Sequence, residues 1–125
     1  MPVIQIRARP QSPGIDVGAL MSLICVQVAQ VLEVEPRRVW TTWETILPGS
    51  YVEGDVAAQT QPRTSHPPIV DIIDSDGRSS ALIEKMILCV AKVLSTELEI
   101  DEGNVFIHFT EGLSGRVFSG HLFRK

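Results

Sequence analysis

Apolar and polar residues alternate from Val3 to Arg9, with Ile4, Ile6 and Ala8 set against Gln5, Arg7 and Arg9. Side chains of a strand point to its two faces in turn, so this pattern predicts a half-buried strand with its arginines on the solvated face. Pro10, Pro13 and Gly14 break the pattern, and Asp16 stands as an N-cap before the apolar run Val17–Leu32. That run keeps only a thin polar stripe at Gly18, Ser22, Gln30 and Glu33, which predicts a helix covered over most of its circumference. Val39–Ile46, rich in β-branched and aromatic residues, predicts a return strand.

The same series recurs. Sliding the chain along itself until Pro2 meets Pro68 brings Ile6 onto Ile72, Leu32 onto Leu98, Glu33 onto Glu99, Trp40 onto Phe106 and Gly49 onto Gly115. The second copy predicts a strand at Ile69–Asp74, a helix from about Ser80 to Glu97 and a strand at Val105–Glu111. This helix is plainly amphipathic, with Ile83, Met86, Ile87, Val90 and Leu94 inward and Glu84, Lys85 and Lys92 outward. The organisation is one domain over residues 1–125: a first β-α-β unit at 2–47, a linker at 48–67 and a second unit at 68–125. So long a linker inside a compact domain predicts a hairpin or a cover over a site. Right-handed crossovers place both helices on one face of a four-stranded mixed sheet, an α+β fold. The other sheet face and the first helix then need cover, which an oligomer supplies.

With 125 residues, a net charge of −4 and a pI near 5.3, the chain lacks the basic surface that a nucleic-acid phosphate backbone demands. The longest apolar stretch, Val17–Leu32, is too short to span a bilayer and carries Gln27 and Gln30. No secretory signal precedes it, so a cytoplasmic protein without a membrane partner is expected. Cys25 and Cys89 sit in apolar runs without a partner at metal spacing, and His66, His108 and His121 are scattered. The expectation is free thiols, no metal and no cofactor.

Pro2 before an alternating strand, the matching Pro68-Ile69-Val70-Asp71-Ile72, and Gly77-Arg78-Ser79 ahead of the second helix together resemble the tautomerase superfamily. The second copy, Pro68 to Lys125, resembles a whole subunit of the 4-oxalocrotonate tautomerase type. The entire chain is similar to the fused two-unit members, which include the cis-3-chloroacrylic acid dehalogenase and malonate semialdehyde decarboxylase groups. The resemblance implies the duplicated β-α-β tautomerase/MIF-like fold, a homotrimer, and catalysis by the secondary amine of an N-terminal proline on a small carboxylate substrate. It also implies an arginine at Arg78 that holds that carboxylate, a substrate contact at His108 and an aromatic pocket wall near Tyr51.

The chemistry of Pro2 stands beside the resemblance. Once Met1 is removed, Pro2 alone offers a secondary amine, and an α-amino group titrates near neutrality, where a general base works best. Pro68 is an internal amide, so one site per chain follows. Arg78 suits a carboxylate through its bidentate fork. Each residue also has a plainer reading: Pro2 as a common second residue, Arg78 as a helix-flanking surface arginine, His108 as a strand histidine, Tyr51 as loop packing. Several specialising residues of the relatives are absent. A second arginine on the return strand is replaced by Trp40 and Phe106, and a water-activating glutamate by Ser119. A helix histidine is replaced by Ala29, and the decarboxylase aspartate by Arg38. No Asp or Glu occurs from Gly112 to Lys125. The expectation is a weak tautomerase of a small 2-enol or 2-keto acid, with Pro2 as general base. The alternatives are a promiscuous hydratase, dehalogenase or decarboxylase with cationic Pro2 as acid, and a non-catalytic ferredoxin-like module that binds a small molecule.

Overall fold

The computed structural model describes residues 1–113, 115–119 and 122–124. In chain order it comprises β1 (Val3–Ala8), α1 (Val17–Leu32), a 3-10 turn at Pro36–Arg38, β2 (Trp40–Thr45), β3 (Val52–Glu53), β4 (Val56–Ala57), β5 (Ile69–Ser75), α2 (Ser80–Glu97), β6 (Phe106–Gly112), β7 (Val117–Ser119) and β8 (Leu122–Arg124). The main sheet has the order β2-β1-β5-β6. The outer pairs are parallel and the central pair, β1 with β5, is antiparallel. The helices start where the sequence places them. The Asp16 carboxylate accepts from the Ala19 N–H at 3.0 Å, and the Ser79 hydroxyl from the Leu82 N–H at 3.2 Å, each satisfying a donor that the first turn leaves unpaired.

Ile4 and Ile6 of β1 and Val70 and Ile72 of β5 meet Leu20, Ile24 and Val28 of α1 and Met86, Val90 and Leu94 of α2 in one buried core. Both helices therefore lie on one face, as the crossovers require. Fully burying each Leu, Ile, Val or Met stabilises the fold by about 1.5–3 kcal/mol. On the opposite face Trp40, Ile73 and Phe106 stay exposed among polar neighbours, the uncovered surface on which the oligomer expectation rests. No helix among the described residues is long and apolar enough to cross a membrane.

One detail departs from the sequence reading, and two short hairpins accompany the main sheet. Arg9 is wholly buried rather than solvated: β1 ends at Ala8, and the linker folds over the next residue. Inside the linker β3 and β4 pair as a short antiparallel hairpin, in agreement with the expectation of local structure there. At the C-terminus β7 pairs with β8 as a short antiparallel hairpin, in the segment 116–125. Gly120, His121 and Lys125 of that segment lie outside the described residues.

Candidate active site at the Pro2 end of the sheet

Because β1 and β2 begin at the edge where β5 and β6 end, four chain segments converge around Pro2. The Trp40 N–H donates to the Pro2 carbonyl at 3.0 Å, which locks the start of β2 beside it. On the other side Val3 pairs with Ile73, so one step further Pro2 lies across from Asp74. Pro2 itself is buried.

Asp74 is the electrostatic centre of this end. Its side chain is fully buried, and an ionised carboxylate is tolerated there only when donors surround it. Three do. The Ser75 N–H donates to Oδ1 at 2.8 Å, the Met1 ammonium lies 3.4 Å from the same oxygen, and the Arg78 Nε pairs with Oδ2. Arg78 reaches back because Gly77 turns the chain with φ +98°, a conformation that side chains with a Cβ rarely adopt. The Nε is committed to Asp74. The Nη groups of Arg78 make no hydrogen bond or ion pair with the described residues and stay partly open to solvent.

A cavity of about 270 Å³ opens beside this cluster, walled by Met1, Val3, Arg38, Trp40, Asp76 and Phe118 among others. Met1 is part of the wall, held by its amine on Asp74 and by the Ser119 hydroxyl 3.7 Å from its sulfur. Its removal would free the Pro2 nitrogen and take away part of that wall. Arg38 comes from the 3-10 turn that Pro36 starts just before β2. It is exposed and forms no ion pair among the described residues. The cavity thus offers a cation on one wall, an aromatic surface from Trp40 and Phe118, and a carboxylate, Asp76, from the β5–α2 turn.

The other two candidates lie elsewhere in the same chain. Tyr51 sits in the linker at the far end of β1, where its hydroxyl donates to the Pro67 carbonyl at 2.7 Å and its ring meets that of His66 edge-on at 5.1 Å. Burial, with Glu53 nearby, pushes its phenol above the ordinary value. His66 is buried, with Nε2 donating to the Val56 carbonyl at 2.7 Å and Nδ1 2.9 Å from the Ser65 hydroxyl. His108 lies mid-strand on the open sheet face, mostly exposed, its Nδ1 3.8 Å from Asp71. The structure therefore brings Pro2 and Arg78 together through Asp74, and leaves Tyr51 and His108 apart from them within one chain.

Two residues of the site escaped the sequence reading. Arg38 registers there only as the loss of an aspartate, although its place two residues before the return strand put it beside Pro2. Asp74 reads as the last polar position of a strand. Its one signal is the i, i+4 spacing to Arg78 across a glycine turn.

Neither the protein-family models nor the curated proteins contain a match to the sequence. Solved structures do match. Fused 4-OT, solved as an asymmetric trimer, superposes with a TM-score of 0.84 at 10% identity, over 97% of this chain and 94% of that one. Pt0534, solved after inactivation by 2-oxo-3-pentynoate, gives 0.82 at 13% identity, over 94% and 91%. A member of the cis-3-chloroacrylic acid dehalogenase family gives 0.78 at 12% identity, over 98% and 83%. At these identities the likeness concerns the fold alone, and the chain has the fold of fused 4-OT.

Proposed function

We propose that this chain, built on the tautomerase-superfamily fold, is a proline-based tautomerase that moves a proton between oxygen and carbon of a small 2-enol or 2-keto acid. The observation that carries the reading is the place of Met1. It caps the Pro2 nitrogen inside a cavity that also holds an arginine, so loss of Met1 presents a secondary amine to a bound carboxylate.

In this reading the neutral Pro2 amine accepts the enol O–H proton. The oxygen lone pair forms the carbonyl, the C2–C3 double bond takes the proton from the new ammonium at C3, and the amine is regenerated. Arg38 and the uncommitted Nη groups of Arg78 hold the substrate carboxylate and temper the negative charge that develops on the enolate. Trp40 and Phe118 shield the reacting carbons from water. Arg38 restores the second cation that the return strand lacks. Tyr51 and His108 take no part within their own chain. The chain works as a homotrimer in this reading, supported by the trimer in which fused 4-OT was solved, with the open sheet face and its exposed Trp40, Ile73 and Phe106 covered by neighbours.

Asp76 on the cavity wall supports hydration or dehalogenation as the second reading, since those reactions need a carboxylate to activate water. The two are separated by rates measured side by side near pH 7, after mass spectrometry confirms a free Pro2. Ketonisation of phenylenolpyruvate with little turnover of 3-chloroacrylates is the expected result. Chloroacrylate turnover exceeding ketonisation, and lost in Asp76→Asn, overturns the tautomerase assignment, as does no ketonisation of any enol acid tried.

A further inference from the structure

Asp74 is a buried carboxylate with three donors, and one of them, the Met1 ammonium, would leave with Met1 if the chain is processed. The group placed to take over is the nitrogen that processing creates. Successive backbone nitrogens are at most about 3.7 Å apart. With the Met1 nitrogen 3.4 Å from Asp74 Oδ1, the Pro2 nitrogen therefore lies within roughly 7 Å of that oxygen before any relaxation. The strand register agrees, since Pro2 faces Asp74 across the central antiparallel pair.

We propose that Asp74 is a positioning residue for the working amine: its carboxylate holds the Pro2 ammonium and offsets the charge of Arg78, so that the amine stays more basic than Arg78 alone would leave it. This rests on Pro2 being the working amine. Among the described residues the surrounding charges include Asp74 on β5, Arg78 and Asp76 from the β5–α2 turn, Arg38 from the turn before β2, and Glu111, the exposed register partner of Asp74 on β6. From β6 and β7 the cavity wall adds Gly112, Val117, Phe118 and Ser119, none of which titrates. Asp74 bonds to the N-terminus. An opposite charge within a few ångströms favours the ionised form of an amine, and a like charge disfavours it. Removing Asp74 takes away the favourable partner and releases Arg78 at the same time. Removing Arg78 leaves the favourable partner uncompensated.

The two changes therefore drive the amine in opposite directions, which a merely structural role for the pair does not. The test is an NMR titration of the N-terminal proline nitrogen in 15N-proline-labelled, Met1-free protein without substrate. Asp74→Asn should lower the midpoint by about one to three units and Arg78→Ala should raise it. The alkaline-rising limb of the ketonisation pH profile should move in step with each. Asp74→Glu, which keeps the charge, should restore most of the wild-type midpoint. If Asp74→Asn fails to fold, the rise in Arg78→Ala and the wild-type-like midpoint of Asp74→Glu decide the matter. A midpoint unmoved by either charge change, or moved in the same direction by both, overturns the proposal. Because the titration needs no turnover, the expected shifts without ketonisation would leave Asp74 standing and remove the tautomerase reading, and ketonisation without the shifts would do the reverse.

Discussion

At the Pro2 end of the sheet the Trp40 N–H donates to the Pro2 carbonyl at 3.0 Å, and at the Pro68 end the Phe106 N–H donates to the Pro68 carbonyl at 3.0 Å. The resemblance runs on through the backbone. Glu33 and Glu99 both end their helices at φ 57°, and the Arg38 and Asn104 N–H groups both close turns at 2.9 Å. The side chains part company. Where one copy has Arg38 exposed on a cavity, the other has Asn104 buried, donating to the carbonyls of Pro62, Arg63 and Ser65. Where one copy has Ser75, the other has Arg9, wholly buried and bonded to the carbonyls of Ile46, Leu47 and Ala58. The linker, tied down by Tyr51, His66 and Asn104, closes the Pro68 end. A duplicated backbone yields two equivalent strand starts, and the side chains around them give the two ends different chemistry.

The widest gap between the two ends should appear in turnover. Pro2→Ala in Met1-free protein should lower ketonisation by about a hundredfold or more, the range for loss of a general base. Pro68→Ala should leave the rate of the folded protein within about twofold. Equal losses would erase the distinction between amine and amide on which the comparison rests.

Next in size is the plug at the closed end. Arg9→Ala strips three backbone carbonyls of their donor and leaves a void, so urea denaturation should show a loss on the order of 3 kcal/mol. Ser75→Ala, at the matching position of the open end, should stay within about 1 kcal/mol. Comparable losses at both would mean that the two ends are equally load-carrying parts of the fold.

At the open end Arg38→Ala should raise KM for a 2-enol acid about tenfold, the loss of one charge-assisted carboxylate contact, with kcat little changed. Its melting temperature should match that of the parent, because the side chain is exposed and unpaired among the described residues. A fall in kcat with KM unchanged would move Arg38 from substrate binding to the transition state.

The smallest effect belongs to Tyr51→Phe, which removes the hydroxyl bond to Pro67 and should cost about 1 kcal/mol. Burial first, and Glu53 second, raise the phenol above its ordinary value of 10.0, so the fold favours the neutral form. Its contribution is complete below the ordinary value and is lost as pH rises through the raised one. Parent and variant should therefore converge in stability on alkaline titration above about pH 10.

The sequence alone determined the two helices, the four principal strands and their duplication, because each is set by a local period: alternation for strands, the 3.6-residue stripe and a capping Asp16 or Ser79 for helices. Pro2 and Arg78 were legible as candidates, one as the sole source of a secondary amine once Met1 is removed, the other through its glycine turn. Tertiary structure decided the rest. Arg9 reads as one more polar residue on a strand and proves buried, because the strand stops one residue earlier and a distant linker supplies the carbonyls that accept its charge. Asp74 pairs with Arg78 locally across the turn, but it becomes the partner of the N-terminus only when β5 is laid antiparallel to β1, a pairing across some seventy residues of chain that no local pattern encodes. The same pairing brings Arg38 and Asp76 to the lining of one cavity. Local periodicity fixes which residues face inward, whereas the charge balance around Pro2 depends on groups far apart in the chain and brought together only by the sheet.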